Sequence, residues 1–135
     1  MSESIIKYLG KMNLNAPTTT ANLENTEQIL NIQFPMNYKE FIKEFNGAEG
    51  EIGPNKYVVF WSLEDIVELN EAYEVNEFAP GLILIGSDGA DTAYAFDNRY
   101  NSKPIVEVPF IGMDLEEVKV CTDTFEEFLE YLYKS

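Results

Sequence analysis

Histidine is absent from this 135-residue chain, cysteine occurs once as Cys121, and arginine once as Arg99. Without histidine, no side chain titrates near neutrality at its ordinary value, so the usual general base and the commonest metal ligand are both missing. A single cysteine excludes an internal disulfide and a cysteine zinc site. No apolar run approaches the ~20 residues that cross a bilayer. Glu3, Lys7 and Lys11 interrupt the first apolar residues, which is unlike a signal peptide, and cytoplasmic residence is the expectation. Basic residues are few, with Lys plus Arg numbering 9 against 24 for Asp plus Glu, a formal net charge of −15. Such a chain is repelled by phosphate backbones and anionic lipid, so neither nucleic acid nor membrane is expected as a direct partner. The excess of acid either serves solubility alone or attracts a partner with a basic surface.

Catalytic signatures are missing as well. The chain has no G-x-x-x-x-G-K-[ST] phosphate loop, and Gly86 with Gly89 is not a dinucleotide fingerprint. A serine nucleophile would have no histidine to activate it, and no G-x-S-x-G elbow is present. Paired carboxylates cleave glycosides, but with so many acids spacing selects no pair. Around Gly89 the aspartates invite a calcium reading, yet Gly89, Ala90 and Ala93 stand where a calcium loop needs oxygen ligands. No catalytic residue, metal or cofactor is expected.

What the chain does contain is organised around Gly81 to Asp97. Leu82-Ile83-Leu84-Ile85 lies between Pro80-Gly81 and Gly86, and consecutive apolar residues in a strand mean that both faces are covered. After Gly86-Ser87-Asp88-Gly89 the chain returns as Thr92 to Phe96, with Tyr94 and Phe96 on one face and Ala93 and Ala95 on the other. This predicts a hairpin at the middle of a sheet, with Asp88, Asp91 and Asp97 at its ends.

Before the hairpin, Ile5, Ile6, Leu9 and Met12 suggest a short amphipathic segment broken by Gly10, and Pro17 to Thr20 a linker with a helix cap. Leu23, Thr26, Gln28, Ile29 and Leu30 suggest a helix to about Asn31. Pro35 then opens a helix whose Tyr38, Phe41, Ile42 and Phe45 fall at i, i+3, i+4 and i+7, with Gly47 closing it in a left-handed conformation. Ala48 to Asn55 read as an acidic loop holding at most a short strand at Glu51-Ile52. Tyr57 to Trp61 suggest a strand, with Trp61 in the core. Ser62 caps a helix with Leu63, Ile66, Val67, Asn70 and Tyr73 inward and Glu64, Glu68, Glu71 and Glu74 outward. Later come a turn at Asp97 to Asn101, a strand at Ile105 to Val108 placed near a sheet edge by its flanking prolines, and a strand at Glu117 to Val120. Cys121 reads as a small buried hydrophobe. Thr124 with Glu127 caps a last helix that buries Phe125, Phe128, Leu129 and Leu132. The order predicts a single α+β domain over 1–135, with helices packed on a mostly antiparallel twisted sheet.

Several of these pieces, taken in order, resemble the SUKH superfamily. Phe34-Pro35, Tyr38, Phe41-Ile42 and Phe45-Asn46-Gly47 are similar to its helix-to-Asn-Gly signature. Gly86, Gly89, Tyr94-Ala95-Phe96-Asp97 and Pro104-Ile105 resemble its central hairpin and following strand, and Thr124-Phe125 with Phe128-Leu129 its closing helix. The match runs over about residues 20–133. The resemblance implies the SUKH fold and, for bacterial members, an immunity protein that binds and neutralises a cognate toxin, frequently a nuclease. Related domains in a fungal regulator of cell-wall synthesis imply the alternative, a regulatory or scaffold module that acts by interaction.

Binding residues concentrate on exposed polar loops. Glu49 and Glu51 after Gly47, Asp88 and Asp91 around the hairpin turn, and Tyr100 beside Arg99 are therefore the candidate partner-binding residues, the partner being a toxin with a basic surface.

Overall fold

Leu82 to Ile85 lie in β4 (Leu82–Ser87), which is buried at every position, as a strand covered on both faces must be. In the computed structural model, which describes residues 3–135 and side chains from Ile5 onward, β4 is the fourth of seven strands in one sheet whose spatial order follows the chain. Its companions are β1 (Met12–Leu14), β2 (Ala48–Ile52), β3 (Lys56–Phe60), β5 (Thr92–Asp97), β6 (Ile105–Pro109) and β7 (Lys119–Thr122). Every neighbouring pair is antiparallel. The helices are α1 (Glu3–Ile6), α2 (Thr20–Leu30), α3 (Met36–Glu44), α4 (Leu63–Ala72), α5 (Val75–Phe78) and α6 (Phe125–Lys134). The expected α+β class is thus observed. Met1 and Ser2 of the expected 1–135 span lie outside the described residues.

One face of the sheet carries Phe60, Tyr94, Phe96 and Ile105, aligned across the strands by register. Against it α3 sets Tyr38 and Phe41, and α6 sets Phe125 and Phe128, all buried. The rings meet edge to face: Tyr38 with Phe96 at 5.1 Å, Phe60 with Phe125 at 5.5 Å and Tyr94 with Phe128 at 4.9 Å between centroids. Such pairs contribute about 0.5–1.5 kcal/mol each beyond the area they bury. The Tyr38 hydroxyl is buried with no hydrogen-bond partner among the described residues. Burial also pushes this phenol above its ordinary value.

Helix starts match the sequence. Thr19, Ser62 and Thr124 accept from the N–H groups of Asn22, Asp65 and Glu127 at 3.0, 3.1 and 3.1 Å, satisfying donors that a first turn leaves free. The Thr124 hydroxyl also donates to Glu127 Oε1 at 2.9 Å.

Several boundaries differ. The N-terminal amphipathic segment is only one turn long, with Ile6 exposed, and Met12 belongs to the edge strand β1 instead. In α2 the buried stripe is Leu23, Thr26 and Glu27, not Gln28 and Ile29. Glu27 is inside because its carboxylate accepts from the Phe34 N–H at 2.7 Å and pairs with Lys39 at 3.3 Å. α3 ends at Glu44, so Phe45 is an extended cap residue only partly buried. Gly47 lies two residues past that extended cap and does not close the helix; at φ 104° it serves a close approach instead, since a Cβ there would lie 2.8 Å from the Phe60 carbonyl oxygen. Residues 48–52 form a full strand rather than a loop, and Glu117 and Val118 precede β7, in and after a 3-10 turn at Leu115–Glu117.

The sheet opens between β3 and β4. These strands pair only at Val59↔Ser87 and Phe60↔Gly86, with Gly86 so close that a Cβ would sit 2.2 Å from the Val59 carbonyl oxygen. Beyond that point Trp61 N–H donates to the Ile85 carbonyl at 3.0 Å. Asn70 of α4 then takes the place of a strand. Its Oδ1 accepts from Leu84 N–H at 2.9 Å and its Nδ2 donates to the Leu84 carbonyl at 2.9 Å.

Two predictions test this packing. Phe128→Ala is expected to lower stability by about 3–5 kcal/mol, whereas Tyr38→Phe, which removes an unpartnered hydroxyl, leaves it unchanged or raised; an unchanged urea midpoint for Phe128→Ala contradicts the core described. Asn70→Leu strands two backbone groups, each worth about 1–3 kcal/mol when left unsatisfied. Its urea midpoint should fall accordingly, and amide exchange should quicken at Leu84 before the β5–β6 ladder on the other side of β5.

Candidate interaction surface

β2 alternates buried and exposed positions, with Ala48, Gly50 and Ile52 inward and Glu49 and Glu51 outward. Register places Glu49 opposite Val59 and Glu51 opposite Tyr57, so these four share one face. The acids therefore sit on a strand, roughly 7 Å apart along it. Glu51 also borders a recess shared with Lys7 and Lys11. Glu49 has a different neighbour: its carboxylate accepts from the Tyr57 hydroxyl, and that bond holds the phenol above its ordinary value. The Tyr57 ring lies against Gly89, where a Cβ would be 3.1 Å from Cδ1. Tyr57 thereby joins the β2 acids to the β4–β5 turn.

Within that turn the two aspartates differ. Asp88 is half-buried, and its Oδ1 accepts from the N–H groups of Ala90 at 2.8 Å and Thr92 at 3.1 Å, so it shapes the turn. The Asp91 side chain is exposed and has no hydrogen-bond or ion-pair partner among the described residues. Its carbonyl accepts from Phe110 N–H at 3.0 Å, tying the turn to the segment after β6. Among the described residues no three carboxylates or thiols converge as a metal site would require.

Tyr100 is elsewhere. It is 56% exposed, but it follows the far end of β5, about 20 Å along a six-residue strand from the turn. Beside it Arg99 is fixed by two bonds to the buried Asp97, Nε at 2.9 Å and a terminal nitrogen at 2.7 Å. The structure thus brings Glu49, Glu51 and Asp91 to one region and leaves Tyr100 outside it.

Next to Asp91 the surface opens into a groove of about 690 Å³. Trp61 and Phe110 form its deeper part, with ring centroids 6.4 Å apart. Tyr73 packs on Phe110 at 4.8 Å and is 41% exposed, and Ile111 is 91% exposed. Leu69 lines the same groove, and among the described residues no lysine or arginine does. Asp65, one turn before Leu69 on α4, is exposed on the same stripe.

Sequence reasoning placed Tyr73 inward and Trp61 in the core; Trp61 is buried but shows an edge to the groove, and Tyr73 stands at its rim. Phe110 and Ile111 were missed. The signal available was two large apolar residues between Pro109 and Gly112, where no strand pattern needs them.

Other groups serve the fold. Glu64 accepts from Asn46 at 2.8 Å and Asn22 at 2.9 Å, and the Asn46 bond comes first in holding its carboxyl below the ordinary range. Burial, with Glu107 nearby, pushes the Cys121 thiol up to about 12, so it stays protonated and weakly reactive at neutral pH.

Among the described residues no helix is long and apolar enough to cross a membrane. The chain is similar to YnaB, an uncharacterised protein of Bacillus subtilis (strain 168), with 38% identity over 84 residues, 62% of this chain. That alignment spans 49% of the relative's length. The profile of the SMI1/KNR4 family (SUKH-1) matches residues 17–131. These residues include the aromatic core, the opened sheet and the groove beside Asp91, and the chain belongs to the SMI1/KNR4 family (SUKH-1).

Proposed function

We propose that this protein is a non-enzymatic, cytoplasmic immunity protein that binds and neutralises a cognate toxin bearing a basic surface, with 1–135 acting as one domain. The observation that carries this reading is the acidic region in which Tyr57 links Glu49 to the turn bearing Asp91, on a chain of net charge −15. A nuclease groove must be basic to hold phosphates, and fixed carboxylates complement such a groove. Family membership supports a role in protein–protein interaction. Steering by the whole field raises association rates toward 10⁸ M⁻¹s⁻¹ at low salt, by roughly the margin seen for other complementary pairs.

The test uses the protein encoded by the adjacent reading frame as the candidate toxin, in an inactive form for binding. Glu49→Lys, Glu51→Lys, Asp88→Lys and Asp91→Lys are compared for protection of cells and for association rate across salt concentrations. Glu49→Lys and Asp91→Lys are expected to slow association most, and Glu51→Lys less because Lys7 and Lys11 already flank it. Asp88→Lys should show a lowered melting temperature, since its carboxylate holds the turn. Folded variants that all protect cells at an unchanged, salt-insensitive rate would exclude this face.

A further inference from the structure

We propose that the groove formed by Trp61, Leu69, Tyr73, Phe110, Ile111 and Asp91 is the pocket for an arginine side chain carried on an aliphatic loop of the protein partner. This rests on the interaction reading above and names what the partner inserts. A guanidinium is planar, weakly hydrated and stacks on aromatic rings while its nitrogens pair with a carboxylate. The groove presents both features: the Tyr73–Phe110 ring pair at 4.8 Å and a neighbouring Asp91 carboxylate that no other described residue engages.

Charge complementarity selects this occupant. Among the described residues the lining includes a carboxylate and no cation, and Asp65 and the Tyr57-linked Glu49 add negative charge nearby. An acidic or phosphorylated segment is repelled by that rim. A second copy of this chain is a poor fit, because its one arginine is held by two bonds to a buried aspartate. Ile111, almost wholly exposed, supplies the apolar contact that an aliphatic neighbour of the arginine would cover. Arginine, tryptophan and tyrosine are enriched among the few residues that dominate binding energy at interfaces.

The first arm of the test is a displayed library of disulfide-closed random loops, selected on the immobilised full chain. Selected loops should be enriched in arginine beside Leu, Ile or Val. They should bind with roughly micromolar affinity. Binding should fall at least about tenfold when citrulline replaces the arginine, or for Ile111→Glu or Asp91→Lys. Ile111 and Asp91 are both exposed, and an unchanged melting temperature checks each fold. Loops without basic residues, or loops insensitive to these variants, overturn the proposal, as does a concentration-dependent dimer abolished by Ile111→Glu. The second arm measures the adjacent-frame protein against the same variants. If wild type binds the loops but not that protein, the immunity reading fails and the pocket stands. If it binds that protein with affinity unchanged by Ile111→Glu and Asp91→Lys, the pocket proposal fails and the immunity reading stands.

Discussion

The side-chain amide of Asn70 bonds both backbone groups of Leu84, and much of the surface depends on that pairing. A meander whose central strand is buried at every position cannot leave backbone groups unpaired, because no water reaches them. β3 accompanies β4 for only two residue pairs, so the remaining donor and acceptor must be met from a helix. Asparagine is suited to this, carrying one donor group and one acceptor in the relation of a peptide unit. Fixing Asn70 fixes α4, and with it Leu69 and Tyr73 on either side of it in sequence. The groove exists because β3 and β4 part, Trp61 crosses the opening, and α4 is held at that depth.

Asn46 makes a comparable connection at the other end of α4. Its Oδ1 accepts from Leu63 N–H at 2.8 Å, its Nδ2 reaches Glu64, and its backbone carbonyl accepts from the Asn15 side chain at 2.9 Å. The helix thus has two caps, Ser62 immediately before it and Asn46 from the segment after α3. Two asparagines, at Asn46 and Asn70, hold its start and its last turn. Under the proposed reading a rigid α4 favours recognition, because ordering a mobile wall on binding subtracts from affinity.

How far the sequence disclosed this depends on the kind of signal. Capping boxes, the helical spacing of Tyr38, Phe41 and Ile42, and the apolar run of β4 are local patterns governed by short-range physics, and each matches the structure. β1 and β2 were obscured because Met12–Leu14 is three residues long and β2 is Ala-Glu-Gly-Glu-Ile. Neither has β-branched residues enough to announce a strand; pairing decides both, β2 against β3 and β1 against β2. Glu27 was missed for a related reason, since burial of its charge depends on the distant Phe34 N–H and Lys39. In the candidate site, Glu49, Glu51, Asp88 and Asp91 stood out by charge, but Tyr57, Tyr73, Phe110 and Ile111 come together only through the sheet register and the placement of α4. Tyr100 illustrates the converse, an exposed aromatic correctly read as exposed yet at the far end of β5.

Under the proposed reading the acids and the groove act on different parts of binding. Exposed carboxylates are screened beyond about 8 Å at physiological salt, and single exposed pairs contribute little to final stability. Their collective field instead sets how often partners meet in a useful orientation. A desolvated ring-lined groove has little reach but resists dissociation, and affinity differences among related complexes lie mostly in dissociation rate. Tyr57 touches both regions, bonded to Glu49 and packed on the turn whose Asp91 borders the groove. A partner drawn in by the acids therefore arrives beside the place where an arginine can be buried. The same arrangement selects against wrong partners, since a loop without the cation would leave Asp91 covered and unpaired, which is costlier than leaving it in water.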